Sequence, residues 1–399
     1  MGNDRLIYFR TDGNRQIASG HLVRCLSVAF ACLQLDMKVC FLISDRESQD
    51  LLTGILRSSS LNLPASFSVI RLKTAAFDHP DQELPEVLSL LTPVADCAVY
   101  FLDSYYVTKS YLSALRPLIK IAYLDDLKLF DYPVDLLINY DIVSAKAMPA
   151  FKSSYRNASR LLLGASYTPL RVQFQNKETP VREQASHILI TTGASDPYHF
   201  CLKFINKICD TIFYHSPDSS LEKNKALIDP KAYQSLTLHI VIGKFNTDKE
   251  ILRQLAREFP CLMLHENISD MASLMQTCDL AVSAAGTTLY ELCALGLPTI
   301  SFTMADNQLS SARAFEDAQL IPYAGDIRDN PESVFQAILK FLTSMSLCLE
   351  NNITKNPDFF KPYYSQRTVI HTRMRQLIDG KGAYRIALSL RELAKEHQK

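Results

Sequence analysis

The sequence lacks an excess of charge of either sign. Its 399 residues contain 42 lysine and arginine residues against 42 aspartate and glutamate residues, so the formal net charge at pH 7 is zero. A chain without net charge has no overall attraction for nucleic acid or for an anionic membrane, although a local patch remains compatible with it. We therefore expect no nucleic-acid partner and no stable membrane association. A small neutral or anionic metabolite fits better as the ligand.

Several catalytic motifs are also missing. The sequence contains no GxGxxG dinucleotide fingerprint, no GxxxxGK(S/T) phosphate loop, no GxSxG elbow and no HExxH pair, and its nine histidines are dispersed. These absences argue against nicotinamide chemistry, nucleoside triphosphate hydrolysis by a phosphate loop, and zinc catalysis. We therefore expect no cofactor and no metal.

Segments that direct a chain out of the cytoplasm are not evident either. The beginning, MGNDRLIYFR, carries charges and lacks the apolar core of a signal peptide, and no uncharged apolar run reaches the roughly 18 residues of a membrane span. The ten cysteines form no CxxC pair and lie mostly in apolar runs, as buried free thiols do in a reducing compartment. We expect a cytoplasmic protein. Its oligomeric state is open, with a monomer favoured.

What the chain does contain is two series of short apolar runs that alternate with helical patterns. The first series extends from LIYFR to RLLLGA, the second from HILITTGA to LIPYAG, and the polar stretch 173–186 separates them as a linker. This alternation predicts an α/β fold with two doubly wound, Rossmann-like domains facing a cleft, and ligands at the carboxyl ends of the strands. The predicted parts are an N-terminal domain (1–172), a C-terminal domain (187–345) and a C-terminal helical extension (346–399).

The first unusual strand-to-helix turn is RTDGNRQIASGHLVRC, which starts at Arg10. Gly20 lets the backbone approach a ligand, and the helix start that follows suits an anion. The positive end of the helix dipole favours a neutral imidazole at His21, able to act as a base. Arg10 and Asp12 either orient the histidine or hold a ligand. A surface or capping histidine is the competing interpretation.

Two turns of the second domain suit a diphosphate. TTGASDP presents small residues directly after a strand, and SAAGTTLYELCALG opens a helix with a glycine and two hydroxyl groups. Glu291 shares a helix face with the two threonines and would accept hydrogen bonds from a ribose diol. Ordinary capped turns, with Thr288 and Glu291 as a capping box, are the alternative. The candidate ligand-binding residues here are Gly193, Ser195, Gly286, Thr287, Thr288 and Glu291.

Polar groups also follow two further strands. FLDSYY places Tyr105 after a strand of the first domain, and FTMADNQ places Asn307 after a strand of the second. Both stretches are also compatible with turn chemistry alone. Together they put polar side chains at corresponding edges of the two predicted sheets.

Taken in order, these segments carry a family resemblance. RTDGNRQIASGHLVRCLSVA, DSY, LLLGASYTPLR, TTGASDP, SAAGTTLYELCALGLPTI, ADNQ and IDGKGAYRIA resemble the UDP-sugar hydrolases of bacterial pseudaminic acid biosynthesis, the PseG/SpsG-like proteins. That family releases 2,4-diacetamido-2,4,6-trideoxy-altropyranose from UDP and is similar to the two-domain nucleotide-sugar glycosyltransferases of the GT-B fold. The resemblance implies a GT-B fold and inverting hydrolysis of a UDP-sugar by C–O cleavage. Residues 205–235 and 340–365 fit it least and look like insertions.

The resemblance also implies roles for individual residues. His21 matches the general base, Tyr105 and Asn307 match sugar-side residues, Glu291 matches the ribose ligand, and the loop from Asn267 to Met271 matches the one that reads uracil. Ala18 and Ser19 depart from the family pattern, which leaves the identity of the sugar open. Two alternatives remain: a GT-B glycosyltransferase that uses a UDP-sugar donor, and a non-catalytic UDP-sugar binding protein.

Overall fold

The structure is a computed structural model that describes residues 5–58, 63–73, 76–213, 236–345 and 361–396. The chain divides into two compact units. Unit 1 consists of Met1–Gln175 and Gly380–Lys399, and unit 2 consists of Asn176–Asp379. The passage from unit 1 to unit 2 thus falls inside the polar stretch 173–186. Each unit contains one parallel sheet with helical crossovers, which confirms the predicted α/β class.

The elements alternate along the described chain as strand and helix. The strands are β1 (Leu6–Thr11), β2 (Lys38–Ile43), β3 (Phe67–Arg71), β4 (Ala98–Asp103), β5 (Lys120–Leu124), β6 (Leu136–Asn139), β7 (Arg160–Leu163), β8 (His187–Thr191), β9 (Thr237–Ile242), β10 (Leu262–Glu266), β11 (Leu280–Ala284), β12 (Thr299–Thr303) and β13 (Tyr323–Asp326). The helices are α1 (Gly20–Gln34), α2 (Arg46–Ser58), α3 (Leu84–Leu91), α4 (Lys109–Leu115), α5 (Met148–Ser153), α6 (Phe200–Phe213), α7 (Lys249–Glu258), α8 (Met271–Thr277), α9 (Thr288–Leu295), α10 (Asp306–Asp317), α11 (Pro331–Met345), α12 (Lys361–Leu377) and α13 (Gly382–Lys395).

The sheet of unit 1 has seven strands in the order β3-β2-β1-β4-β5-β6-β7. Helices cover both of its faces, so its central strands are apolar throughout, and all six residues of β4 are buried. Successive residues of β1 point to opposite faces: Ile7 and Phe9 pack in a core with α1 and α13, whereas Tyr8 packs in a core with α3 and α4. Strands β1 and β4 therefore lie in the middle of the unit, with α1 packed on one face of the sheet and α4 on the other.

The sheet of unit 2 repeats this topology with six strands in the order β10-β9-β8-β11-β12-β13. In both units the chain first builds outward in one direction and then returns to the opposite side of the first strand. The strand order therefore reverses between β1 and β4 and between β8 and β11. In open parallel sheets, the crevice beyond the carboxyl ends of the strands at such a reversal is the usual ligand site.

The stretch predicted as a C-terminal extension is divided between the units. Helix α12 lies in unit 2 and α13 lies in unit 1. The glycines of IDGKG explain how α13 approaches its unit: Gly380 has a φ of +77°, and a Cβ on Gly382 would lie 2.2 Å from the Thr168 carbonyl oxygen. A side chain at either position would strain the backbone or displace α13.

The eight cysteines whose side chains are described form no disulfide, as expected from the sequence. Six of them are buried, and burial raises the pKa of thiols such as Cys32 and Cys293 well above the usual range. Cys209 and Cys348 lie outside the described side chains, as do most of the two stretches that look like insertions. Among the described helices, none has the length and apolar character that crossing a bilayer requires.

Three histidines form a hydrogen-bonded chain across β8, β9 and β10. His187 Nδ1 lies 2.9 Å from His239 Nε2, and His239 Nδ1 lies 3.0 Å from His265 Nε2. The described residues contain no group of three or more His, Cys, Asp or Glu side chains placed to hold a metal ion. Burial, together with the neighbouring His265 and His187 rings, lowers the pKa of His239 to about 4.

We expect this chain of histidines to make unit 2 sensitive to acid. The unfolded chain has a histidine pKa of about 6.5, so it binds the proton more tightly than the folded state does, and stability falls as the pH drops from about 6.5 to about 4. The full loss attributable to His239 is about 3 kcal/mol. We expect the protection of the β8–β10 amides against hydrogen exchange to depend less on pH in His239→Gln than in the wild type. The exposed His79→Gln serves as control, and an unchanged slope in His239→Gln would contradict the assignment.

Candidate active site

His21 occupies the second position of α1, which the loop 12–19 connects to the end of β1. The connecting loop packs tightly on α1, because a Cβ on Gly13 would lie 2.6 Å from Leu22 Cδ1. A Cβ on Gly20 would meet no atom within 4 Å, so the space in front of the helix start is open. The His21 side chain is only 4% exposed. The surface-histidine alternative is therefore wrong for this residue.

The imidazole of His21 is paired with a carboxylate from the neighbouring strand. Asp103 ends β4 and lies opposite Thr11 of β1, and its Oδ1 is 2.6 Å from His21 Nδ1. Burial alone would raise the pKa of Asp103, but Arg24 and His21 outweigh it and hold that pKa well below its usual range. An ionised Asp103 accepts the Nδ1 proton, which leaves the Nε2 lone pair available as a base.

Arg24 follows His21 by one helical turn and grips the same carboxylate. Its Nε donates to Asp103 Oδ2 and its Nη2 to Asp103 Oδ1, both at 2.6 Å. Its Nη1 donates to Asp126 Oδ2 at 2.6 Å and to the Tyr140 hydroxyl at 2.8 Å. Arg24 thus pairs with two carboxylates, those of Asp103 and Asp126.

A small cavity lies beside the His21–Asp103 pair. Its volume is about 10 Å³, close to what one water molecule requires. The Tyr105 ring stands edge-on to the His21 ring, with 4.3 Å between the ring centroids, and burial raises the pKa of its hydroxyl to about 12. The cavity is lined by Asp12, Ile17, His21, Phe77, Asp103, Ser104, Tyr105 and Tyr106.

Arg10 and Asp12 have different positions relative to this cavity. The buried Arg10 guanidinium binds Glu83 through Nε at 2.6 Å and Nη2 at 2.7 Å, and its Nη1 contacts Asp12. Asp12 also accepts a hydrogen bond from the Ser44 amide at 2.7 Å and lines the cavity. This geometry indicates that Arg10 orients Asp12. It does not favour a direct contact of Arg10 with a ligand.

In unit 2, the turn after β8 is shaped by a second glycine. A Cβ on Gly243 would lie 2.2 Å from the Gly193 carbonyl oxygen, so only glycine lets the ends of β8 and β9 approach this closely. Gly193 has a φ of +86°, and the turn from Gly193 to Ser195 is exposed. Asp196 accepts hydrogen bonds from the amides of Phe200 and Cys201 and so caps the start of α6.

The turn after β11 leads into α9. Thr287 is the N-cap residue, and its side chain makes no capping hydrogen bond to the first turn. The capping box considered from the sequence, with Thr288 as the cap, is therefore not the arrangement found. Glu291 lies in the first turn of α9 and is half-buried, and Gly286 is likewise half-buried. A Cβ on Gly286 would meet no atom within 4 Å, so the turn has open space beside it.

The other predicted residues of unit 2 lie beyond the ends of β10 and β12. Asn267 is exposed with a φ of +52°, and Met271 begins α8, which Asp270 caps through the Ser273 amide at 3.0 Å. Asn307 is exposed in the first turn of α10. The strands that precede these residues, β8, β10, β11 and β12, belong to one parallel sheet. All the candidate residues of unit 2 therefore lie beyond the carboxyl ends of its strands.

The chain is similar to one known family model and to two curated proteins. Residues 218–366 match the model of the glycosyltransferase family 28 C-terminal domain. The chain is similar to the spore coat polysaccharide biosynthesis protein SpsG of Bacillus subtilis, 25% identical over 59% of each protein. It is also similar to the uncharacterized protein MJ1062 of Methanocaldococcus jannaschii, 23% identical over 73% of this chain and 54% of that protein. The chain thus spans less than two thirds of the length of these curated relatives.

Solved structures establish the fold. MurG of Acinetobacter baumannii has a TM-score of 0.55 at 13% identity, covering 97% of this chain and 99% of that one. TcCGT1 in complex with UDP has a TM-score of 0.61 at 12% identity and covers 99% of both chains. The UDP-GlcNAc 2-epimerase of Neisseria meningitidis has a TM-score of 0.54 at 14% identity, covering 98% of this chain and all of the other. The chain has the GT-B fold, as the family resemblance implied.

Proposed function

We propose that the protein hydrolyses a UDP-linked sugar to the free sugar and UDP, with a water molecule activated by His21. The observation that carries this proposal is the buried His21–Asp103 pair beside a cavity with room for about one water molecule. The resemblance to the pseudaminic acid pathway enzymes narrows the substrate to a UDP-linked diacetamido-trideoxy sugar. The similarity to SpsG supports a role in polysaccharide biosynthesis.

The proposed reaction is a single displacement. His21 Nε2 takes one proton from water as the water oxygen forms a bond to the anomeric carbon. The bond between that carbon and the diphosphate oxygen breaks, and its electron pair leaves with UDP. Attack on the face opposite the leaving group inverts the anomeric configuration. General base catalysis of this kind contributes about 100- to 10,000-fold. Asp103 stabilises the imidazolium that forms and keeps the Nε2 lone pair directed away from the carboxylate.

In this proposal, unit 2 binds the leaving group, UDP. UDP departs with an additional negative charge, and backbone amides at the starts of α6 and α9 suit that charge. The glycine-dependent turn at Gly193 to Ser195 and the open turn at Gly286 to Thr288 lie beyond β8 and β11, at the strand-order reversal. Glu291 would bind the ribose hydroxyls, and the backbone from Asn267 to Met271 would read uracil.

The sugar side is assigned to Tyr105 and Asn307, as the resemblance implies. Tyr105 lines the cavity and contacts the His21 ring, so it would place the anomeric carbon next to the activated water. Asp12 lines the same cavity and would bind a sugar hydroxyl or amide. Gly20, with open space in front of its Cα, would leave room for the sugar ring.

Incubation of the purified protein with candidate UDP-sugars and no acceptor tests the proposal. In oxygen-18 water, hydrolysis by C–O cleavage yields unlabelled UDP and a free sugar that carries one oxygen-18 atom. Phosphorus NMR shows whether the UDP is labelled. If the UDP-sugar persists until an acceptor is added, the reaction is transfer and not hydrolysis, as in the glycosyltransferases that share the fold. Label in UDP would refute attack at carbon, and tight UDP binding without turnover of any UDP-sugar would indicate a binding protein.

A further inference from the structure

Arg24 makes four side-chain hydrogen bonds to groups around His21. The two carboxylates that it joins belong to adjacent strands: Asp103 ends β4 and Asp126 follows β5. The Tyr140 hydroxyl, which follows β6, accepts from the same guanidinium nitrogen as Asp126. A planar guanidinium with five donors is the side chain that can hold these groups in fixed geometry, and lysine cannot replace it. Arg24 therefore fixes the rotamer of Asp103 relative to α1.

Arg24 and His21 share one carboxylate oxygen. Asp103 Oδ1 is 2.6 Å from both His21 Nδ1 and Arg24 Nη2, and these two nitrogens are 3.0 Å apart. A guanidinium can only donate, so a proton on Nδ1 must go to Asp103, whereas a bare Nδ1 would accept from Arg24. The second arrangement puts the proton on Nε2 and removes the base. The shorter distance to Asp103 favours the first arrangement.

The same contact opposes protonation of the imidazole. A proton on Nε2 creates a positive charge next to the Arg24 guanidinium, while the carboxylates around it favour that charge. Removing Arg24 would leave the carboxylates uncompensated, and the imidazole would hold a proton to higher pH. The titratable and charged groups that face His21 or Asp103 are Asp12 after β1, Arg24 and Cys25 on α1, Asp103 and Tyr105 at the end of β4, and Asp126 after β5.

We infer that Arg24 is a positioning residue for the base: it locks Asp103 in the rotamer that takes the Nδ1 proton, and it places a positive charge 3.0 Å from His21 Nδ1. The inference rests on the proposed function in so far as His21 is the base of a hydrolysis. The arrangement of the three side chains, however, can be measured without substrate.

The pH profile of turnover separates this role from a structural one. In Arg24→Met we expect the acidic limb of kcat to move up by about one pH unit or more, so that kcat at the acidic side falls at least about 10-fold and recovers as the pH is raised. Arg24→Lys keeps the charge and loses the fork, so its limb should stay near that of the wild type while its plateau falls. Arg182→Met is the control, since Arg182 pairs with the buried Asp279 in unit 2. An acidic limb of Arg24→Met at its wild-type position would overturn the role of the charge, and an unchanged plateau in both Arg24 variants would overturn the role in holding Asp103.

Nitrogen-15 NMR of the histidine rings in the full chain tests the inference independently of any activity. The His21 signals are identified by their loss in His21→Phe. We expect a protonated Nδ1 and a bare Nε2 in the wild type, and a higher titration midpoint with a mixture of tautomers in Arg24→Met. Circular dichroism checks that each variant is folded. The same tautomer and midpoint in folded Arg24→Met would overturn the inference, whereas absence of hydrolysis alone would bear only on the proposed function.

Discussion

Replacement of His21 by phenylalanine should lower kcat for UDP release about 100- to 10,000-fold, the usual contribution of a general base. Phenylalanine keeps an aromatic ring against Tyr105 and removes both ring nitrogens, so the packing of the pair changes little. Because the proposed diphosphate, ribose and uracil contacts all belong to unit 2, the Kd for UDP should stay nearly unchanged. UDP release is followed by chromatography, and UDP binding by calorimetry.

His79→Phe is the matched control for this experiment. His79 is also paired with an aspartate, Asp78, at 3.1 Å, but its side chain is 62% exposed. Its replacement should leave both turnover and UDP binding as in the wild type. Unchanged turnover in His21→Phe would remove His21 as the base and with it the proposed mechanism. A loss of UDP binding equal to the loss of turnover would assign His21 to substrate binding instead.

Much of the fold could be predicted because its signals are local. Apolar runs such as LIYFR and HILITTGA are buried on both faces of a parallel sheet, and this burial produces continuous apolar strands separated by helical periods. The candidate residues could be placed at strand ends for the same reason, since a turn with small or polar residues follows each run. The positions of His21, Gly193 and Gly286 beyond the strands β1, β8 and β11 were predictable in this way.

The partners of these residues were not predictable because they depend on register between distant strands. His21 and Asp103 are 82 positions apart, and only the pairing of Thr11 with Asp103 brings them together. Arg10 likewise binds Glu83, which is 73 positions away, and this bond holds the guanidinium where it contacts Asp12. The stretch FLDSYY contains Asp103, but nothing local indicated that its carboxylate would bind the His21 ring nitrogen.

Close backbone approaches form a second class that sequence patterns do not show. Gly243 follows an apolar strand and looks like an ordinary turn glycine, yet its missing Cβ is what lets the Gly193 turn approach β9. Gly382 has the same role between α13 and Thr168. In both cases the constraint is a neighbour far away in the chain, so it becomes visible only once the sheet and helix positions are known.

Asp103→Asn should lower kcat about as strongly as loss of the histidine. In the Ser-His-Asp triad, the corresponding amide substitution costs about 10,000-fold because it favours the wrong histidine tautomer. Here an asparagine would turn its oxygen toward Arg24, which can only donate, and its amide nitrogen toward His21 Nδ1. Nδ1 would then be the acceptor and Nε2 would carry the proton, so water would find no base. Turnover is measured by UDP release across pH, with UDP binding as the reference.

The pH dependence distinguishes this variant from Arg24→Met. A wrong tautomer is a neutral imidazole, so raising the pH should not restore Asp103→Asn, whereas in Arg24→Met it should restore the part of the loss that comes from protonation of His21. Asp135→Asn is the matched control, because Asp135 is a buried carboxylate that binds Lys120 at 3.0 Å and precedes β6 at the opposite edge of the sheet. It should lower stability without lowering kcat. Recovery of Asp103→Asn at high pH would mean that Asp103 acts on His21 through its charge alone and does not set the tautomer.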